Sequence, residues 1–101
     1  MGTKMIEVAK LSALIDVAAK AIEADGHEDA LNATQADLDE AYREWKVARG
    51  LGRVERDTIE WEHMMLGTAE AYADLEKAKR ASRNAKKRLR TAIARYKGWI
   101  E

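Results

Sequence analysis

The chain has 101 residues, with no Pro, no Cys and no Phe, and its 18 Lys and Arg balance 18 Asp and Glu. A chain this short makes one small domain, and its wealth of Ala, Glu, Lys, Arg and Leu is the composition of long helices. The absence of Cys excludes disulfides, thiolate metal sites and thiol catalysis, and suits a reducing, cytoplasmic setting.

No charge-free apolar run approaches the roughly 18 residues of a membrane span. Residues 1–22 are interrupted by Lys10, Asp16 and Lys20, so neither a span nor a signal peptide is expected there and no membrane partner is implied. The expected class is therefore all-α: one helical domain over residues 1–101, a bundle or coiled-coil-like antiparallel hairpin with a long C-terminal helix.

The first periodic stretch runs from about residue 4 to residue 25, with Val8, Leu11, Ile15, Ala18 and Ile22 at alternating spacings of three and four. That period marks an amphipathic helix. Leu14 and Ala21 widen the stripe, while Lys10, Asp16, Lys20 and Glu23 fall away from it, so this stripe is the expected core face. Asp25-Gly26-His27 places a glycine where a helix can stop, and Glu28 and Asp29 suit the positive end of a following helix. A reversal is expected there, with His27 in the turn.

The second helix is expected over about residues 28–49, its stripe formed by Leu31, Thr34, Leu38, Ala41, Trp45 and Ala48. Thr34 with Asp37 offers an alternative start. Gly50-Leu51-Gly52 reads as a left-handed glycine stop followed by an apolar contact.

From residue 53 to residue 99 the stripe continues through Val54, Trp61, Met64, Thr68, Ala71, Leu75, Ala78, Ser82, Ala85, Leu89, Ala92, Tyr96 and Trp99. This is a heptad seam. Trp61, Met64, Leu75, Ala78, Ala85, Leu89, Ala92, Tyr96 and Trp99 are its candidate packing and self-association residues. Its alternate positions are Ala, so a partner helix can approach closely. Gly67 interrupts it, at a helix-interior cost of about 1 kcal/mol against Ala, and a mild bend there is expected more than a break.

These lengths create an overhang. Two helices of about 22 residues span roughly 33 Å each, whereas one from 53 to 99 spans roughly 70 Å. If the second helix folds back at residues 50–52, the stretch from Lys77 is left uncovered, and apolar stripes of that size seldom stay exposed. Self-association, most simply as a dimer, is the expected remedy.

The neutral total conceals a charge division. Residues 1–76 carry 8 Lys plus Arg against 17 Asp plus Glu, while residues 77–101 carry 10 against one. On the seam's own register these cations surround everything but the seam. Glu23, Glu28, Asp37, Asp39, Glu40 and Glu44 are available to neutralise them, in this chain or in another copy. Lys79, Arg80, Arg83, Lys86, Lys87 and Arg90 are the candidate contacts to an acidic protein surface or, alternatively, to a phosphate backbone without base specificity.

Catalytic constellations are weak. Glu60-Trp61-Glu62-His63 holds an E-x-x-H pair of the kind helical di-metal sites use, but Trp61 and Met64 take the inward positions and turn His63 outward. Neither a metal nor another cofactor is expected, nor enzymatic activity. The expected function is that of an adaptor- or inhibitor-type interaction protein that binds a partner protein or itself through helix faces. The alternative is a nucleic-acid-associated helical protein acting through residues 77–97.

Overall fold

The computed structural model describes residues 2–100. It holds three α-helices, α1 (Gly2–Ala48), α2 (Ile59–Gly67) and α3 (Ala69–Ile100), and no strand among the described residues. They divide into two compact units, the first made of Met1–Asp29 with Arg80–Glu101 and the second of Ala30–Lys79.

The first correction concerns Gly26. In place of two helices meeting at a turn, α1 runs unbroken through Asp25, Gly26 and His27, and His27 is a half-buried helical residue. A helix-interior glycine loses roughly 1 kcal/mol, and packing overrides it. Ala24, one turn before Glu28, is buried, and Glu28 bonds to two α3 residues. A reversal at 25–27 would forgo these contacts. Thr34, the alternative cap, lies inside α1 with its hydroxyl donating to the Leu31 carbonyl at 3.2 Å.

In the first unit the two helices run antiparallel. Glu28 meets Ser82 and Lys86, Glu23 meets Arg88, and nearer the start of α1, Ala9 and Ser12 line a groove with Arg95 and Trp99. The contact is built from small residues, with Ala24, Ser82, Ala85 and Ala92 all buried. With about 100° per residue, Ala9, Ala13, Val17 and Ala24 share the side of α1 that faces α3. The basic stretch of α3 therefore has α1 along it, and the expected overhang does not arise.

The second unit has the larger side chains at its centre. Leu38, Trp45, Met64, Thr68 and Leu75 are buried, which places the expected stripe of residues 31–48 against the seam of α2 and the start of α3. The α1 stop has the geometry expected of Gly50: φ is +67°, the Gly50 N–H donates to the Val47 carbonyl at 3.1 Å and the Leu51 N–H to the Lys46 carbonyl at 2.9 Å. That is the Schellman pattern.

A second correction concerns residues 53–58, which lie outside any helix. Asp57 adopts φ 63° and Thr58 caps α2, its hydroxyl accepting from the Trp61 N–H at 3.2 Å. Asp tolerates the left-handed region better than most residues, so Asp57-Thr58 forms a start signal two residues long. At Gly67, where the sequence left a kink or a break open with a bend favoured, α2 ends and α3 begins two residues on. The interruption is one residue wide, because the Thr68 N–H still donates to the Met64 carbonyl and the Tyr72 N–H to the Thr68 carbonyl, both at 3.0 Å. A Cβ on Gly67 would lie 2.8 Å from Trp45 Nε1, so the glycine is where the indole approaches the backbone.

Candidate functional site

The expected seam divides between the units. Trp61 and Met64 on α2, with Leu75 and Ala78 on α3, belong to the second; Ala85, Leu89, Ala92, Tyr96 and Trp99 belong to the first. Met64, Leu75, Ala85 and Ala92 are buried, Trp61, Ala78, Leu89 and Tyr96 are half-buried, and Trp99 is exposed. Ala85 and Ala92 retain only 1% and 2% of their surface. That part of the seam is occupied by α1 of the same chain.

Seven of the ten cations of α3 fall into two sets, and the other three, Lys77, Arg95 and Lys97, are exposed. Three of the seven meet carboxylates: Lys86 Nζ lies 3.1 Å from Glu28 Oε2 and Arg88 Nε 4.0 Å from Glu23 Oε2, both on α1, and Lys79 Nζ lies 3.4 Å from Glu76 Oε1 within α3 itself. Glu28 also accepts from the Ser82 hydroxyl at 3.3 Å. The hydrogen bond from Lys86, the Lys86 charge and the Ser82 bond, in that order, hold the Glu28 carboxyl below its ordinary pKa against a small desolvation. These pairs are solvent-washed and worth little each, but those of Lys86 and Arg88 join α1 to α3 at a defined register.

Arg80, Arg83, Lys87 and Arg90 form the other set. They are exposed and make no ion pair among the described residues. Their spacing of three, four and three sets them in one row on the side of α3 turned away from α1. The sequence suggested cations on all sides of the seam; two of the flanking ones pair with α1 carboxylates, and the four on the outer side form an unpartnered basic row.

The sequence stripe of α1 is placed opposite to expectation. Val8, Leu11, Ile15 and Ile22 remain 64%, 57%, 60% and 73% exposed, and Ala18 between them is exposed too. This row faces away from α3, which is met by the small side chains of Ala9, Ala13, Val17 and Ala24. The helix is apolar on two opposite sides. The larger side chains made the outer row look like the core, while the Ala-rich α3 seam is matched by the small-residue side, where the backbones come closest.

The second unit carries an open cleft of about 510 Å³ lined by Tyr42, Val54, Arg56, Trp61, Met64, Met65 and Tyr72. The Tyr42 hydroxyl points at Met65 Sδ, 4.0 Å away, and burial pushes its pKa up. Glu60 and His63 are both exposed on α2, and the described residues hold no cluster of three His, Cys, Asp or Glu. No described helix is long and apolar enough to cross a membrane. Two outward rows, apolar on α1 and basic on α3, have no partner among the described residues, and Val47, Ile59 and Leu66 of the second unit are exposed as well. No protein family, curated protein or solved structure matches this chain.

Proposed function

We propose that the protein is a non-enzymatic helical interaction protein, of adaptor or inhibitor type, that associates with itself or with a partner protein through helix faces. The observation that carries this reading is the outward row of α1, because five apolar positions at helical spacing left in water are a binding surface far more often than a neutral one. The basic row of α3 then orients an acidic partner surface and speeds its association. Light scattering over a hundredfold dilution tests the self-association. A mass above that of one chain that falls on dilution supports it, and a single-chain mass throughout, with no partner recovered from native lysate, removes it.

The unpaired row of Arg80, Arg83, Lys87 and Arg90 supports a second reading, contact with a nucleic-acid backbone. Retention on duplex or single-stranded nucleic acid that collapses with rising salt is its signature. Replacing Arg83, Lys87 and Arg90 with Gln abolishes that retention if the row carries it, and leaves protein association intact.

A further inference from the structure

We infer that the outward row of α1 pairs with the same row of a second copy, antiparallel, with Leu11 opposite Ile22, Ile15 opposite Ala18 and Lys4 opposite Asp29. This rests on the self-association reading above and names its surface and geometry.

The row has the period of a helix partner. Lys4, Val8, Leu11, Ile15, Ala18, Ile22, Asp25 and Asp29 alternate at four and three, the spacing of a two-helix seam, and every one of them is exposed. Its apolar centre is closed by a base at one end and two acids at the other. A parallel, in-register pair sets Lys4 on Lys4, Asp25 on Asp25 and Asp29 on Asp29, so every charged layer is repulsive. The antiparallel pair sets Lys4 of each copy against Asp29 of the other, and leaves Asp25 opposite Val8 at the open end of the seam, with no like charges facing. The charge pattern is therefore self-complementary in one orientation only, which is the requirement of a two-fold interface.

Side-chain sizes agree with that orientation. The two-fold axis falls between Ile15 and Ala18, so a large residue meets a small one in the central layers and the helices come close. The flanks do not obstruct them, since Ser12 and Ala19 border one side and Leu14 and Ala21 the other. A lipid surface is a poorer occupant. Residues 2–29 carry three Lys against six Asp and Glu, whereas helices that lie on anionic bilayers are basic.

The chain contains no Cys, so introduced thiols report the geometry directly. In the proposed register a chain carrying Leu11→Cys, mixed with one carrying Ile22→Cys, forms a disulfide-linked dimer under mild oxidation. Neither variant alone does so, because like positions are then about 16 Å apart along the seam, beyond the reach of a disulfide. Lys4→Asp raises the dissociation constant about fivefold, and Lys4→Asp with Asp29→Lys restores it. Unchanged helicity by circular dichroism establishes that each variant is folded.

Cross-linking of each single variant with itself overturns the antiparallel orientation. A dimer by light scattering without cross-linking in the mixture overturns this surface and leaves the self-association reading standing. A single-chain mass at all concentrations overturns both, and a single chain captured by vesicles of anionic phospholipid assigns the row to a lipid surface instead.

Discussion

The outward faces of α1 and α3 in the first unit occupy equivalent places and differ in chemistry. Each lies opposite a small-residue side that forms the helix contact. On α1 the outward row is Val8, Leu11, Ile15, Ala18 and Ile22; on α3 it is Arg80, Arg83, Lys87 and Arg90. The difference shows what periodicity can decide. A helix with one apolar side, such as α3, has only one side to bury, and that side is the buried one. A helix with two, such as α1, has a choice, and the partner's shape decides. The Ala85 and Ala92 ridge accepts the side of α1 that allows close approach.

The largest test of this contrast is on association. Ile15→Asp removes an apolar group from the centre of the outward row twice in each dimer, and is expected to raise the dissociation constant by more than about a hundredfold, while the circular dichroism of the single chain is unchanged. Replacing Arg83, Lys87 and Arg90 with Gln, an equal disturbance of the α3 row, should leave the dimer mass at moderate salt untouched. Equal weakening by both would erase the distinction between the faces.

The inner side responds in stability. Ala85, 1% exposed, faces α1 where no room remains, so Ala85→Leu is expected to cost about 1–3 kcal/mol by overpacking. Chemical denaturation measures it. A neutral result would mean that α1 and α3 are not held at close approach, and the argument for which side of α1 faces inward would fail with it.

Much of this fold is legible in the residues. The seam from Met64 to Tyr96 can be read position by position, because no charged residue falls on it while the Lys and Arg of residues 77–97 all lie off it. The Gly50 stop is equally clear, since Gly-Leu-Gly supplies both the left-handed residue and the apolar contact behind it. Gly26 and the outward row of α1 are not legible, for one shared reason. A glycine between acidic residues looks like a stop unless one knows that Glu28 has Ser82 and Lys86 to bond, and those lie more than fifty residues away in sequence. Once the helix is split at Gly26 the overhang follows, and the stripe of large residues has to be placed inside. The α2 start was present in the sequence as Asp57-Thr58 but lay inside an apolar period that favoured a continuous helix. The paired and unpaired cations of α3 are separable only once α1 is laid beside them.

Two of the helical glycines, Gly26 and Gly67, sharpen this with effects of opposite sign. Nothing lies within 4 Å of a Cβ on Gly26, and its backbone is helical, so Gly26→Ala is expected to stabilise by about 0.5–1 kcal/mol. If residue 26 were a left-handed stop, the same change would destabilise. Gly67→Ala gains the same propensity but drives a methyl into the Trp45 indole, 2.8 Å away. Trp45 is buried, with Arg49 stacked over it at 4.2 Å, so a net loss of about 1 kcal/mol is expected. Thermal melts of the two variants give the signs.

The smallest expected effect is on acid titration, and it separates a bond between helices from one within a helix. The carboxyls of Glu28 and Glu40 are both held below their ordinary pKa of 4.5, the first chiefly by the hydrogen bond from Lys86, the second chiefly by the hydrogen bond from Arg43. A carboxylate whose folded pKa is depressed contributes stability that is present above the unfolded value and lost as pH falls through the lower folded one. Both contributions therefore persist at neutral pH and fade below about pH 4.5. The Glu40 partner is three residues away on the same helix, so losing that pair frays a local turn, whereas losing the Glu28 pair loosens α1 from α3. Between pH 7 and pH 3, Glu28→Gln should flatten the decline in melting temperature and Glu40→Gln should alter it less. If Glu40→Gln has the larger influence, the bond from Lys86 to Glu28 does not help set the register of the two helices. The pairing then rests on the small-residue contact alone, which also chooses the side of α1 left facing outward.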